Sequence, residues 1–374
     1  MALQLPNTSQ LPIGHEAADD ESVVTPPNYA FFTFSFVLML VIVIGNSLTI
    51  FIFWTTPKLF NQTALCLINL AIADFMTGIT FTPFGLPCAL RGECLVRSSR
   101  AACLTVVILS YSYVGVSGCT LIIVSIDRYL KLSRPLRYHA IFTKRRTITS
   151  LVLVWIVVFT STSSFIMYNP HIITYDVDYY HCGLQPTHED ALAYTYFIDF
   201  AFFVCPVGVM TVCSLRIAII AHRARCQIRS QEAVMDARNP ANGIHSRRPV
   251  TTDMRVAVRI FVVVFVFIVC FMPYCSELVY ARRTSKTFPS KISLAALTMV
   301  EMNSAMNPII YVTTYATFRR ALARKLTKLC GRSTRANSLI WTVTSLPPRD
   351  RSQSRQNADA VISPSTHSEN LKSV

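Results

Sequence analysis

The chain has 374 residues, of which 52% are hydrophobic and only 15% charged, with a formal net charge of +15. A soluble domain of this size carries about a quarter charged residues, so an ordinary water-soluble globule is excluded. The apolar residues instead gather in continuous stretches of membrane-spanning length.

Residues 1–29 contain no Lys or Arg and no early apolar core, so they are expected to be a short polar tail and not a cleavable signal. Asn7-Thr8-Ser9 is a glycosylation sequon there. Seven spans follow, near 30–54, 64–88, 101–133, 147–168, 191–221, 256–280 and 292–314. The seventh is the most polar, and hydropathy alone would miss it. Lys and Arg crowd the ends of spans 3, 5, 6 and 7, whereas Thr147 to Leu215 has none. By the positive-inside rule this places the N-terminus outside and the C-terminus in the cytosol. The net positive charge therefore belongs to a membrane surface and does not point to nucleic acid.

Two outer loops carry cations: Arg91, Arg97 and Arg100 before span 3, and Arg282, Arg283, Lys286 and Lys291 between spans 6 and 7. Either short loops tolerate the charge or it attracts an anionic ligand. Most of the 12 cysteines lie inside spans. Cys103 and Cys182 face the oxidising side and are expected to form a disulfide. Cys88 and Cys94 also lie near that face, so a second bridge stays open. A second sequon, Asn61-Gln62-Thr63, falls in an inner loop and cannot be glycosylated there. Residues 223–252 form a polar, Arg-rich linker. Residues 315–330 alternate apolar and basic side chains at helical spacing, as an interfacial helix on the inner leaflet does. It ends at Cys330, a candidate palmitoylation site. Residues 331–374 are rich in Ser, Thr, Asn and Arg and are expected to be a disordered cytoplasmic tail. The fold class is all-α: a seven-transmembrane helix bundle over 30–314 with a short amphipathic inner-leaflet helix after span 7.

Ionisable residues inside spans are costly and usually functional. They are Asp74, Asp127, Arg128, Asp199, Glu277 and Glu301. Polar Asn46, Asn69, Ser117, Asn303, Ser304 and Asn307 lie at similar depths, and Pro206, Pro273 and Pro308 interrupt spans 5, 6 and 7.

In order along the chain stand Gly45-Asn46, "NLAIAD" ending at Asp74, Cys103, "DRY" at 127–129, Trp155, Pro206, "CFMP" at 270–273 and "NSAMNPIIY" at 303–311. This series resembles the rhodopsin-like (class A) G-protein-coupled receptors, with framework similarity to the amine and adenosine branches. The resemblance implies a receptor that turns binding of an extracellular small ligand into nucleotide exchange on a heterotrimeric G protein at the plasma membrane. It implies that Arg128 is a switch, paired at rest with Asp127 and with Asp253 and released when span 6 swings out. Tyr129, Leu136, Asn307, Pro308 and Tyr311 belong to the same coupling machinery, with Leu136 as an apolar plug on a basic loop. It further implies an allosteric sodium ion held by Asp74, Ser117, Asn303, Ser304 and Asn307, with no required cofactor. A receptor kinase and arrestin are the partners expected for the Ser/Thr-rich tail, and membrane lipid for the inner helix.

Three positions depart from the family pattern. Ser214 replaces a span 5 Tyr, Phe271 replaces the span 6 Trp, and Gly118 stands where a branched residue is usual. The ligand residues of known branches do not transfer either. Ser110 stands at the amine-binding Asp position, Glu301 at the retinal Lys position, and Leu278 at the adenosine-binding Asn position. The expected pocket comprises Ser110, Tyr111, Val114, Asp199, Phe202, Phe271, Tyr274, Leu278, Leu297 and Glu301. Asp199 and Glu301 suit a cation while the outer loops suit an anion, so the ligand's charge stays open. No HExxH, GxSxG or comparable catalytic set appears, which argues against an enzyme. The competing readings are a nonsignalling decoy or scavenging receptor, and a transporter.

Overall fold

The computed structural model describes residues 28–177, 180–185, 196–197, 199–238, 251–284, 286 and 288–329, with side chains left aside at 81–82, 199, 228–229, 232–238 and 251–260. Seven long helices follow one another: α1 Tyr29–Thr55, α2 Gln62–Arg91, α3 Arg100–Ser133, α4 Lys144–Tyr168, α5 Cys205–Arg238, α6 Thr251–Thr284 and α7 Ser290–Thr314. A further helix, α8, runs Ala316–Leu329. The seven long helices belong to one unit that extends to Arg319; beyond it only the remainder of α8 is described.

Six helices among the described residues are long and apolar enough to cross a membrane. The exception is α7, as its polarity foretold. It turns Glu301, Asn303, Ser304 and Asn307 inward, where all four are buried. The chain is a multi-pass membrane protein. Apolar side chains such as Phe34, Ile44, Val157, Phe261 and Phe265 stay exposed along the helices, as a lipid-facing surface requires.

Local chemistry sets the helix ends. Asn28, Asn61, Ser99 and Thr143 cap α1, α2, α3 and α4, each accepting a hydrogen bond from the backbone N–H three residues on. The inner-loop sequon residue Asn61 is thus a helix cap. Gly92 ends α2 with φ 71°, a left-handed conformation that suits glycine.

The ring closes through α1 on α2 and α7, α3 on α2, α4 and α5, and α6 on α5 and α7. Pro308 has no N–H, so the Ser304 carbonyl one turn earlier loses its helical donor. Asn46 Nδ2 of α1 fills that gap at 3.1 Å. Gly45 allows the close approach, because a Cβ there would lie 3.0 Å from the Pro308 ring. Asn46→Ala leaves a buried carbonyl unpaired and is expected to cost about 1–3 kcal/mol, read as a lower unfolding temperature in detergent. An unchanged temperature would mean that the backbone re-pairs locally.

Two features depart from the sequence expectation. Span 5 opens with a π-helical turn, Asp199–Val204, directly before Pro206, and its helix runs on to Arg238. The wider turn accommodates the proline's missing donor. The extension reaches into the expected linker because neither Gly nor Pro intervenes before Asn239-Pro240. The second feature is a β-hairpin in the outer loop, β1 Ile173–Asp176 antiparallel to β2 His181–Leu184, in an otherwise all-α fold.

Both outer disulfides are formed. Cys103–Cys182 ties β2 to the start of α3, and Cys88–Cys94 closes the end of α2 on the following turn. The first sits in an apolar cluster with Val106, Val107, Ile166, Ile172, Ile173 and Phe202. A second cluster, deeper in the bundle, joins Leu70, Leu121, Met210, Ile217, Phe267 and Phe271.

Candidate functional site

Three sites line up along α3. The outermost is a cavity open to solvent, with about 80 Å³ available to the centre of a water-sized sphere. Its wall contains Ser110, Tyr111, Val114, Phe202, Phe271, Tyr274, Leu297 and Glu301, as the sequence suggested. Tyr111 and Tyr274 join their hydroxyls across it at 2.9 Å. The Ser110 hydroxyl is buried in the wall with no hydrogen-bond partner among the described residues. Leu278, also expected in the pocket, is buried one helical turn beyond Tyr274 and does not line this cavity. Asp199 begins the π-helical turn, but its side chain is outside those described.

Sequence reasoning missed the hairpin's share of the wall, His181 and Cys182. The expected Cys103–Cys182 bridge was the available signal, since it draws β2 over the mouth of α3. A smaller cleft, of about 20 Å³ on the same measure, lies beside the first, lined by Phe31 and Ser35 of α1, Leu86 of α2, and Leu294 and Thr298 of α7. His181, Leu297 and Glu301 line both cavities.

The middle site surrounds Asp74, which is fully buried. Ser117 and Ser304 donate to its Oδ1 at 3.0 and 2.9 Å, and Asn307 donates to Oδ2 at 2.7 Å. Among the described residues no ion pair reaches it. Asn303, also expected in the set, is buried on α7 and makes no hydrogen bond to Asp74 among those described. The carboxylate and the two hydroxyls, each with lone pairs to spare, are hard oxygen donors of the kind sodium takes. A cation would also balance a buried charge that otherwise has only neutral partners.

The inner site is the Asp127-Arg128-Tyr129 end of α3. Asp127 has 0% exposure. Its carboxylate accepts from Thr63 Oγ1 and from Tyr138 Oη, both at 2.6 Å, while Arg128 Nε stands 3.8 Å away. The acid's main partners are therefore α2 and the short loop helix Pro135–Ile141, with its neighbouring Arg a distant third. Burial, and then the bond to Asp127, push the Tyr138 phenol well above its ordinary value, so it stays a donor. Lys131 lies 5.7 Å above the same ring. The next loop residue but one before it, Leu136, is 97% exposed. Arg128 is 17% exposed at the inner mouth. Asp253, its expected second partner, has a side chain outside those described, and Asn7 and Cys330 lie outside the described residues.

Tyr129 packs in part on the deeper apolar cluster. Tyr311 is buried against Phe53 and Phe318, at ring separations of 6.2 and 6.1 Å. Around the departures from the family pattern, Phe271 stacks on Phe267 at 4.4 Å. Gly118 faces Pro206 and Phe267, with room for a Cβ at ordinary contact. Ser214 returns its hydroxyl to the Met210 carbonyl at 2.7 Å.

The sequence is similar to several receptors. It is 24% identical over 328 residues to the adenosine receptor A2a of Homo sapiens, covering 79% of this chain and 71% of that protein. It is 25% identical over 335 residues to the melatonin receptor type 1A-A of Danio rerio, covering 87% of each. The alpha-1D adrenergic receptor of Homo sapiens is 26% identical over 346 residues, covering 83% of this chain and 58% of that protein. These relatives are receptors and not enzymes. The family model for the 7 transmembrane receptor (rhodopsin family) matches residues 45–311. With a buried acid at mid-bundle, a cavity at one end and an Asp-Arg-Tyr triplet at the other, all strung along α3, the chain belongs to the rhodopsin family of seven-transmembrane receptors.

Proposed function

We propose that this protein is a plasma-membrane receptor, N-terminus outside, that converts binding of an extracellular small molecule into nucleotide exchange on a heterotrimeric G protein. One observation carries the proposal. Ser110, Tyr111 and Val114 line the outer cavity, Ser117 holds Asp74, and Arg128 ends at the inner mouth, all on the single helix α3. A ligand that shifts α3 or its neighbours in the cavity thus acts on the same element that carries the cytosolic Arg. Exposed Leu136 and the basic residues around it supply the docking face for the G protein. The 331–374 tail serves a receptor kinase and arrestin, α8 lies on inner-leaflet lipid with Cys330 palmitoylated, and Asn7 carries a glycan.

The test is nucleotide exchange on purified G proteins with the receptor in nanodiscs, across a small-molecule library. Ligand-dependent exchange that Arg128→Ala removes would support the proposal. Specific ligand binding without exchange on any G-protein class would identify a decoy instead.

Sodium bound at Asp74 is proposed to favour the resting form. The unmutated protein is then expected to melt at a higher temperature in sodium chloride than in choline chloride, because an ion that binds only the folded state stabilises it. Asp74→Asn should erase that difference. By linkage, sodium should also weaken agonists in the unmutated protein alone. Equal melting temperatures in the two salts before any mutation would rule the ion out.

A further inference from the structure

We propose that the outer cavity takes a small, neutral, aromatic molecule, fixed by a hydrogen bond at Ser110 and not by an ion pair. The inference deepens the receptor reading above and rests on it for the side from which the ligand arrives.

The sequence left the ligand's charge open between cation and anion, and the wall favours neither. Among the described residues that line the cavity, Glu301 and His181 are the two whose side chains can carry charge near neutral pH. Both already interact with neighbouring residues. An ammonium group would have to take Glu301 from the partner it has. An anion finds no Lys or Arg among the lining residues described. The outer cations Arg97 and Arg100 are engaged elsewhere. Arg97 donates to the Gly92 carbonyl at 2.6 Å, and Arg100 donates to the carbonyls of Ile173 and Pro170, where it holds the hairpin. Either ion would give up its hydration for a wall with no opposite charge to spare, which is costly. A neutral molecule avoids that cost.

The wall does offer one hydroxyl. Thr77 donates to the Ala73 carbonyl at 3.1 Å, and Tyr111 and Tyr274 join their hydroxyls to each other. Ser110 is 9% exposed, and its Oγ is buried with no partner among the described residues. Ser112 and Thr162 also have buried, unpartnered hydroxyls, but neither lines the cavity, so only Ser110's is within a ligand's reach there. Ser110 stands on a stripe of α3 with Val107, Tyr111 and Val114, spaced i, i+3, i+4, i+7, which turns one helix face to the cavity. Rotation about its χ1 between staggered wells re-aims the hydroxyl. A ligand carbonyl or ring nitrogen can then accept from it, which removes the cost of a buried donor left unmade.

The rest of the wall sets size and shape. Phe202, Phe203 and Phe271 line it, with Phe203 and Phe271 stacked at 6.4 Å, and such faces suit an aromatic ring. One water takes roughly 10–15 Å³ on the measure that gives this cavity about 80 Å³. The space is therefore that of a small ring system and not of a long chain.

Four probes of one shape separate the claims: indan-1-one, indane, 1-aminoindane and indane-1-carboxylate. A fifth, octahydroinden-1-one, is the saturated ketone. Binding is measured on the full chain in nanodiscs without G protein, with uptake by empty nanodiscs subtracted. A failure here is thus separable from a failure of coupling in the exchange assay. The aromatic ketone is expected to bind about tenfold tighter than the amine or the acid, and about fivefold tighter than indane, the scale of one neutral hydrogen bond. It should bind about threefold tighter than the saturated ketone. Ser110→Ala should bring ketone and indane within about twofold of each other while leaving indane's own affinity unchanged, which guards against simple misfolding. Ser110→Thr, which keeps the hydroxyl, should keep the ketone's advantage. Failure of ketone and indane alike to bind, or an amine or acid that binds as tightly as the ketone, overturns the neutral class. An advantage over indane that survives Ser110→Ala overturns the anchor, and equal binding of the two ketones overturns the aromatic preference.

Discussion

Cys103→Ala is expected to lower surface expression and the unfolding temperature more than any other outer-loop change. The bridge it breaks closes 79 residues, from the start of α3 to β2, whereas Cys88–Cys94 closes six. In the chain-entropy account the longer loop contributes about 4.5 kcal/mol and the shorter about 2 kcal/mol. Both are upper values here, because the helices remain threaded through the membrane when their packing is lost, which already restricts the unfolded chain. The ranking does not depend on that correction. Cys182→Ala should match Cys103→Ala, and the double variant should be no worse than either, since a single bond is lost. The hairpin is also expected to leave the cavity, taking His181 from its wall, so ligand binding falls with stability. If Cys88→Ala proved the more damaging, the entropy argument would fail and local packing of the α2 end would take its place.

Asp127→Asn is expected to raise ligand-independent nucleotide exchange about 5–30-fold at matched surface expression. Asparagine keeps the shape but loses the charge facing Arg128 and one of the two oxygens that accept from Thr63 and Tyr138. Loss of a charged acceptor facing the partly exposed Arg128 is worth about 1–2 kcal/mol, and 1.4 kcal/mol is a factor of ten in the equilibrium. Asp253→Ala should act in the same direction by removing the second acid proposed for Arg128. Arg128→Ala should abolish coupling instead, because the freed guanidinium is the group proposed to meet the G protein. Tyr138→Phe separates the two contributions. It releases the loop helix but leaves the Asp127 charge, so a rise equal to that of Asp127→Asn would assign the restraint to the loop and not to the ion pair. Ser214 bears on the outcome, since its hydroxyl donates to the Met210 carbonyl of its own helix where the family pattern has a Tyr. The acid-removing variants are therefore also measured in a Ser214→Tyr background. Unchanged basal exchange for both Asp127→Asn and Asp253→Ala in both backgrounds would dismiss Arg128 as a restrained switch.

How much of this was legible beforehand depends on the range over which each feature is determined. The spans were legible because burial in lipid demands an uninterrupted apolar length, a property of consecutive residues. Asp74, Asp127, Arg128 and Glu301 declared themselves because a charge inside such a length is costly and conspicuous. The π-helical turn before Pro206 was not legible, since proline announces a disturbance but not which backbone geometry absorbs it.

The sequence by itself determined the class of the molecule: seven helices, their polar interior and most of the wall residues of the outer cavity. Tertiary structure alone decided who pairs with whom. Thr63, at the start of α2, lies 64 residues from Asp127 and shares no pattern with it, yet it holds that carboxylate more closely than the adjacent Arg128. Asn46 reaches a carbonyl 258 residues away that Pro308 had left open. Arg97 and Arg100 read as free outer charges until their backbone acceptors were in place. The smaller cavity, and Glu301's position on both walls, exist only where α1, α2, α7 and the hairpin converge. Hydropathy and helical period are local quantities, fixed by neighbours along the chain. A hydrogen bond or a cavity wall depends on the relative placement of helices, which the packing of all seven settles together.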